Sequence, residues 1–338
     1  MKLRWRFWVG FAFLTILVGG EIGLRLFGFG HPALLQADPN MGYRYQPNQN
    51  LRRFGKRIVY NQYSQRSEPI SLEKPPGTLR ILMVGDSLLN GGNPTDQSQT
   101  ITELFENHLR EAGFEAEVLN ASAGSWGMGN RLGYLQEFGV FQSDAVILQI
   151  ASHDLTQPTS TSKWIGVDLN YPDRAPLLAW QELFVRYLWP FLSVRPPFNH
   201  FLVNPRVSEI PVSVDPNHDL RQNQQLLKAT ILLLREKKVP VYVLFIPETR
   251  DLRVEGEPEA YQKFKAKAMQ QKNDFLQLLR SLQVPVIDVY PAWTQLPASE
   301  MLRYYRDYVH VNEAGNAAIA KTLFDELCTY KQLVACAR

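Results

Sequence analysis

Ile81-Leu82-Met83-Val84-Gly85-Asp86-Ser87-Leu88-Leu89-Asn90-Gly91-Gly92 is the stretch whose reading decides the fold. Its four leading apolar residues, entered through Leu79-Arg80, are the continuous run of a short strand buried on both faces of a parallel sheet. The run stops at Gly85-Asp86-Ser87, and a capped helix follows after a polar loop. Gly85 lets the chain turn sharply, and Asp86 can hold local backbone amides in place. A serine on such a turn, at the carboxyl end of a central strand, aims its hydroxyl into the crevice where open α/β sheets bind ligands. The same residues also suit an ordinary turn with a capping Asp and a spectator Ser, so later segments must decide.

Working outward, strands and helices alternate. The stripe Ile101, Leu104, Phe105 and Leu109 predicts a helix over 100–112, ended by Gly113. Glu115 to Leu119 reads as a second strand running into Asn120, Gly129 to Val140 as a helix, and Ala145 to Ile150 as a third strand. His218 to Lys238 is a long amphipathic helix before the strand Val241 to Ile246. Glu259 to Leu282, Val284 to Val289 and Asn312 to Leu327 read as helix, strand and helix. Such alternation implies a parallel sheet covered on both faces. The count predicts a three-layer α/β/α sandwich around a five-stranded, flavodoxin-like sheet.

The turns after the first three strands then line one rim. The second turn, Asn120-Ala121-Ser122-Ala123-Gly124-Ser125-Trp126-Gly127, is rich in small residues whose amides can approach a ligand. The third is Ala151-Ser152-His153-Asp154, and Asp307-Tyr308-Val309-His310 precedes the last helix. A serine needs a neighbouring base to become nucleophilic at neutral pH, and the base needs a partner that fixes its tautomer. Ser87, His310 and Asp307 suit those three roles, with amides and side chains of the second and third turns as oxyanion donors. Asp307-x-x-His310 alone is also the pattern of a helix-entry turn. It could supply two metal ligands, yet no His-rich cluster accompanies it. His31, His108, His200 and His218 sit at tether, surface or cap positions and receive no role.

Lys2, Arg4 and Arg6 precede an apolar run from Phe7 to Gly20 that continues from Ile22 to Gly30, interrupted by Glu21 and Arg25. A cleaved signal peptide competes with a retained signal-anchor. Leu17-Val18-Gly19-Gly20-Glu21 is a poor cleavage site, and the span reaches the ~20 residues needed to cross a bilayer. The anchor over residues 1–30 is the favoured reading. Basic residues ahead of it put the amino terminus in the cytoplasm and the rest of this single-pass chain outside. Residues 31–78, with Asp38-Pro39-Asn40, Pro75-Pro76-Gly77 and many tyrosines, read as an irregular tether packing on the domain, with one short strand near Arg57-Ile58-Val59-Tyr60. The domain itself occupies 79–338.

The chain has 338 residues, 45% hydrophobic and 20% charged, with a formal net charge of +3. A sizeable core is therefore available, and no Lys/Arg block is dense enough to suggest nucleic acid. No repeat of solenoid period occurs.

Gly85-Asp86-Ser87-Leu88, the glycine-rich block from Asn120 to Gly127, the turn after strand three and Asp307-x-x-His310, in that order over about 79–330, resemble the blocks of the SGNH (GDSL-type) hydrolases. The resemblance implies the three-layer sandwich and an esterase, lipase, thioesterase, or carbohydrate deacetylase or acetyltransferase, with no metal or organic cofactor. The anchor and the tyrosine-rich tether are similar to those of bacterial membrane-anchored members. Two positions depart from the pattern. His153 stands where the family has an oxyanion-binding Asn, and its imidazole can still donate one N–H. Ser125, beside Gly124, stands where the family has Gly. The expected site is therefore Ser87, Asp307 and His310, supported by Asp86, with Gly124, Ser125, His153 and Asp154 on the oxyanion side.

Between Leu155 and Pro216 an insertion (155–217) carries Trp164, Tyr171, Trp180, Phe184, Tyr187 and Trp189. It is expected to fold over the crevice as a cap or side wall, or to form a satellite core in which Leu183, Phe184, Tyr187 and Leu188 pack. Cys328 and Cys336 can form a disulfide outside the cytoplasm. The expected activity is serine-dependent hydrolysis, or acyl transfer, on O-acyl (O-acetyl) groups of a cell-envelope polysaccharide. A lipid or lysophospholipid ester, and a catalytically weak envelope binding protein, are the alternatives.

Overall fold

The computed structural model describes residues 2–189, 215–251, 259–293 and 296–329. Helix α1 (Lys2–Leu26) opens the chain, and its residues 5–19 lie exposed. Within it Trp5–Leu26, at mean hydropathy 1.8, is long and apolar enough to cross a membrane. The region expected to be an irregular tether is more ordered than its prolines suggest. It folds into two antiparallel hairpins, β1 (Leu35–Asp38) with β2 (Gly42–Tyr45) and β3 (Gln49–Arg53) with β4 (Lys56–Tyr60). Their apolar faces have somewhere to go: Leu35, Met41, Tyr43, Ile58 and Tyr60 are buried.

β5 (Leu79–Gly85) is the centre of the molecule, paired in parallel with β6 (Ala116–Ser122) on one side and β7 (Ala145–Ala151) on the other. β8 (Val241–Ile246) and β9 (Val286–Asp288) complete the sheet in the order β6-β5-β7-β8-β9. Reversal of strand order beside β5 makes its carboxyl end a topological switch point, where such sheets bind ligands.

Successive side chains leave a strand on opposite faces, and β5 shows why its apolar run is continuous. Leu82 and Val84 join a core with Leu227 and Phe275 from the helices Pro216–Glu236 and Glu259–Ser281. Ile81 and Met83 join a second core with Phe105 of α3 (Ile101–Glu111) and Leu323 of the last helix, Glu313–Thr329. Helix α2 (Ser87–Asn90) follows β5 directly, and α4 (Met128–Phe138) covers the first of these cores.

β6 runs further than its apolar residues suggest, with Asn120, Ala121 and Ser122 paired to Met83, Val84 and Gly85. Asn120 can stay in a buried strand because its amide donates to the Leu89 carbonyl at 2.9 Å and to Thr102 Oγ1 at 3.0 Å. β9 is shorter than expected, since as the edge strand it is paired only with β8.

The described part of the insertion divides in two. Residues 157–171 wall the second rim turn: Gln157 Nε2 donates to the Ser125 carbonyl at 2.8 Å, and Tyr171 Oη lies 3.1 Å from Ser125 Oγ. Residues 179–188 continue away from the crevice as a helix with a π turn, packed on the end of α1. Tyr187 meets Phe29 and Phe54 edge-on and Phe184 packs on Trp189, though Phe184, Tyr187 and Leu188 each stay partly exposed. Residues 190–214 and Cys336 lie outside the described residues, and with them the rest of the expected cap and the expected Cys328–Cys336 pairing.

Candidate active site

Asp86 closes β5 and caps α2, accepting the Leu88 amide at 2.8 Å. The cap turns the chain so that Ser87 begins the helix with its side chain at the crevice and its own amide among the donors a helix start leaves unpaired. His310, which lies 223 positions further on, brings Nε2 to 2.8 Å from Ser87 Oγ. Its Nδ1 lies 2.9 Å from Asp307 Oδ2 and 3.0 Å from Oδ1. The three side chains predicted from sequence thus form one connected chain.

Asp307 is held by its own loop, accepting the amides of His310 at 2.7 Å and Val309 at 2.9 Å. Partial burial pushes its carboxyl up, but those amides and the imidazole outweigh it and hold the group below the usual carboxylate range. An ionised carboxylate only accepts, so Nδ1 of His310 carries the hydrogen. In the neutral ring Nε2 is then the acceptor and Ser87 Oγ–H the donor. That is the tautomer a general base requires.

Across the crevice, Ser125 holds a left-handed backbone at φ 59°, a conformation that costs most residues ~1–2 kcal/mol. Glycine would adopt it freely, which explains why a family whose pattern places Gly here can do so. The amides of Gly124 and Ser125 have no hydrogen-bond partner among the described residues, and a Cβ at Gly124 would meet nothing within 4 Å. Tyr43 of the hairpin β1–β2 fixes this turn from behind, its phenol donating to the Gly124 carbonyl, while Trp126 Nε1 donates to the Tyr43 carbonyl at 2.8 Å.

His153 is placed otherwise than expected. Nε2 lies 2.7 Å from Asp86 Oδ2 and Nδ1 lies 2.8 Å from Glu248 Oε1, so both ring nitrogens face carboxylates. Burial lowers its pKa, but Asp154, Asp86 and Glu248 together raise it well above the ordinary imidazole value. Both nitrogens therefore donate, and neither N–H is spare for an oxyanion in this arrangement. Asp154 is likewise no ligand group. It is fully buried, paired with Arg131 Nη2 at 2.5 Å and accepting the Ala151 amide at 2.8 Å.

These residues form a buried ionic floor under the serine turn. Arg131 Nη2 also reaches Asp86 at 3.4 Å, and its Nη1 donates to the Gln149 carbonyl. Burial pushes the Asp86 carboxyl up, yet His153, Arg131 and the Leu88 amide bring it down to about 2. Glu248 is lowered too: burial raises it, and His153 and Arg250 outweigh that. Asp86, His153 and Asp154 could offer ligand atoms within 4.8 Å of one another to a metal, but the Arg131 guanidinium already lies against both carboxylates.

A family model for the GDSL-like lipase/acylhydrolase family matches residues 83–318. The chain belongs to that family. As a GDSL-type hydrolase it is an enzyme acting on ester bonds. Among solved structures the hydrolase is similar to TesA, at 13% identity and a TM-score of 0.43, over 75% of this chain and 99% of that one. It is similar to a lipase/acylhydrolase from Enterococcus faecalis, at 14% identity, TM-score 0.42 and coverage of 75% and 98%. The esterase EstA from Pseudoalteromonas sp. matches at 12% identity, TM-score 0.42 and the same coverage, 75% and 98%. No protein of curated function matches the chain.

Glu248 and Arg131 were not foreseen. Glu248 had a signal, since Pro247-Glu248 follows β8 at the same carboxyl rim that singled out the other turns. Arg131 had none, because a cation inside an amphipathic stretch reads as solvated until its buried carboxylates are known.

Proposed function

We propose that this hydrolase is a serine esterase in which Ser87 is the nucleophile, His310 the general base and acid, and Asp307 the group that orients His310. Ser87 Oγ attacks the ester carbonyl carbon and passes its proton to His310 Nε2. The resulting oxyanion is met by backbone amides, those of Ser87 and of Gly124 or Ser125. As the C–O bond breaks, His310 returns the proton to the leaving alcohol. Water, or a sugar hydroxyl in acyl transfer, then attacks the acyl-serine with His310 again taking a proton. The observation that carries this reading is the Ser87–His310 contact at 2.8 Å with Asp307 behind the ring at 2.9 Å.

The proposed substrate is an O-acyl group, such as O-acetyl, on a cell-envelope polysaccharide. It is supported by the anchor reading of α1, which with Lys2, Arg4 and Arg6 ahead of it puts the domain outside the cytoplasm in a single-pass arrangement. A lipid or lysophospholipid ester is the second reading, favoured by the exposed apolar side chains Leu177 and Leu178 beside that helix. The test is hydrolysis of p-nitrophenyl acetate and longer esters by the full chain in detergent, beside Ser87→Ala. Equal rates would remove the serine mechanism. A fluorophosphonate adduct mapped to Ser87 supports it, and the preferred acyl length separates the two substrate classes.

A further inference from the structure

Glu21 and Arg25 are ill suited to a helix surrounded by lipid, and both of them, with Gly20 beside them, meet the insertion. Glu21 accepts the amides of Ala179 at 2.9 Å and Trp180 at 3.2 Å, and pairs with Arg25 Nε at 2.7 Å. Arg25 Nη2 donates to the Leu177 carbonyl at 2.8 Å. Trp180 Nε1 donates to the Leu17 carbonyl at 3.0 Å, and its ring lies where a Cβ on Gly20 would come within 2.3 Å. Both charges in the apolar stretch are thus paired and hydrogen-bonded, which is the condition for keeping ionised groups at membrane depth.

The register of α1 then sets a depth. Its 22-residue span Trp5–Leu26 rises about 33 Å at ~1.5 Å per residue, against a hydrocarbon core of ~30 Å. Lys2, Arg4 and Arg6 fix the cytoplasmic end at the interface. Leu17 therefore lies about 14 Å from the far end of the span, and Trp180, bonded to it, lies at that level. A lone exposed leucine needs no explanation. Here Leu177 is 83% exposed, Leu178 49% and Phe184 46%, and all three flank the tryptophan on the same short segment.

We infer that residues 177–188 form a second membrane contact, a short apolar wedge that α1 holds within the outer leaflet and whose partner is the acyl-chain and headgroup region of a lipid bilayer. Trp180 sits with its ring on the anchor, Leu177, Leu178 and Phe184 face lipid, and Glu182 faces the domain, where it binds Arg53 Nη2 at 2.6 Å. The domain is thus seated on the bilayer from two sides rather than hung from a flexible stalk. The inference rests on the proposed anchor role of α1.

The test uses the full chain in vesicles of phosphatidylethanolamine and phosphatidylglycerol, with an environment-sensitive fluorophore on Leu178→Cys, Phe13→Cys or the exposed reference Glu111→Cys. Lipids carrying a quencher on the acyl chain report contact. The inference expects blue-shifted, quenched emission from positions 13 and 178 and neither effect at 111. Quenching at 13 without quenching at 178 overturns the wedge and leaves the anchor standing. Quenching at neither overturns both. A second arm adds Gly20→Leu, which pushes Trp180 off the helix: signal at 178 is expected to fall while that at 13 stays. An unchanged signal at 178 overturns the seating of the wedge by α1.

Discussion

Adjacent residues of one turn each hold a histidine, and the two histidines are held to opposite ends. Ser87 meets His310 on the open rim, where one ring nitrogen faces a carboxylate and the other a hydroxyl. Asp86 meets His153 below, where both nitrogens face carboxylates. The rim imidazole keeps a lone pair free to take a proton. The lower one has two donors committed, and acts as a fixed cation that ties β5 to the end of β8. The difference turns on what stands on the second nitrogen, so a histidine in a rim turn cannot be assigned a role until both its partners are known.

Several substitutions can break or sharpen this contrast. Ser87→Ala should lower kcat about 10⁴- to 10⁶-fold with the midpoint of denaturant unfolding almost unchanged, because Ser87 is only half-buried. A matching loss of stability would mean the rim, too, is structural. Asp307→Asn should cost roughly 10⁴-fold in kcat, since an amide no longer holds the required tautomer. Its stability effect should be small, as the Asp307 side chain is 46% exposed.

Below the rim the signature reverses. Arg131→Met takes the nearest cation from Asp154 and leaves Asp86 with His153 alone, and loss of one partner of a buried pair costs ~3–5 kcal/mol, read as a lower unfolding midpoint. His153→Asn should cost less, ~1–3 kcal/mol, with a distinctive pH dependence. The folded pKa of His153 is raised, so the stability it adds is complete below about pH 6.5 and is lost as pH rises through the raised value. The Asp86 share runs the other way, present above about pH 4 and lost as pH falls toward about 2. Unfolding of wild type and variant measured from pH 4 to 10 should therefore converge at the alkaline end. Parallel curves would mean that His153 is not the cation of the floor. Ser125→Gly should change stability least, within ~1 kcal/mol, because relief of the left-handed backbone offsets the lost Tyr171 contact.

The sheet and the rim were legible in the sequence because each depends on local signals. The run Ile81 to Val84 is apolar on both faces, and Ser87, Gly124 and His310 follow strands or precede a helix in a recognisable order. Asp307 and His310 are three apart, so their pairing needs only one loop. The floor was not legible in the same way. Arg131, Asp154, His153 and Glu248 come from three separate elements, and only the fold reveals that their charges are mutually compensated rather than solvated. The hairpins at 35–60 were hidden for another reason, since turn residues such as Asp38-Pro39-Asn40 look alike in a hairpin and a free tether.

The arm ahead of the sheet carries more than attachment. Arg66, wholly buried, donates to the carbonyls of Asn90 at 2.9 Å, Gly92 at 2.6 Å and Thr95 at 2.6 Å, while Tyr43 pins Gly124 across the crevice. A gene trimmed to begin at residue 83, where the family match starts, would keep every reacting group yet lose both moorings of the loops that frame them. The natural starting point for a minimal version of this enzyme is therefore upstream of the first hairpin, and the boundary of the shared family is not the boundary of the working machine.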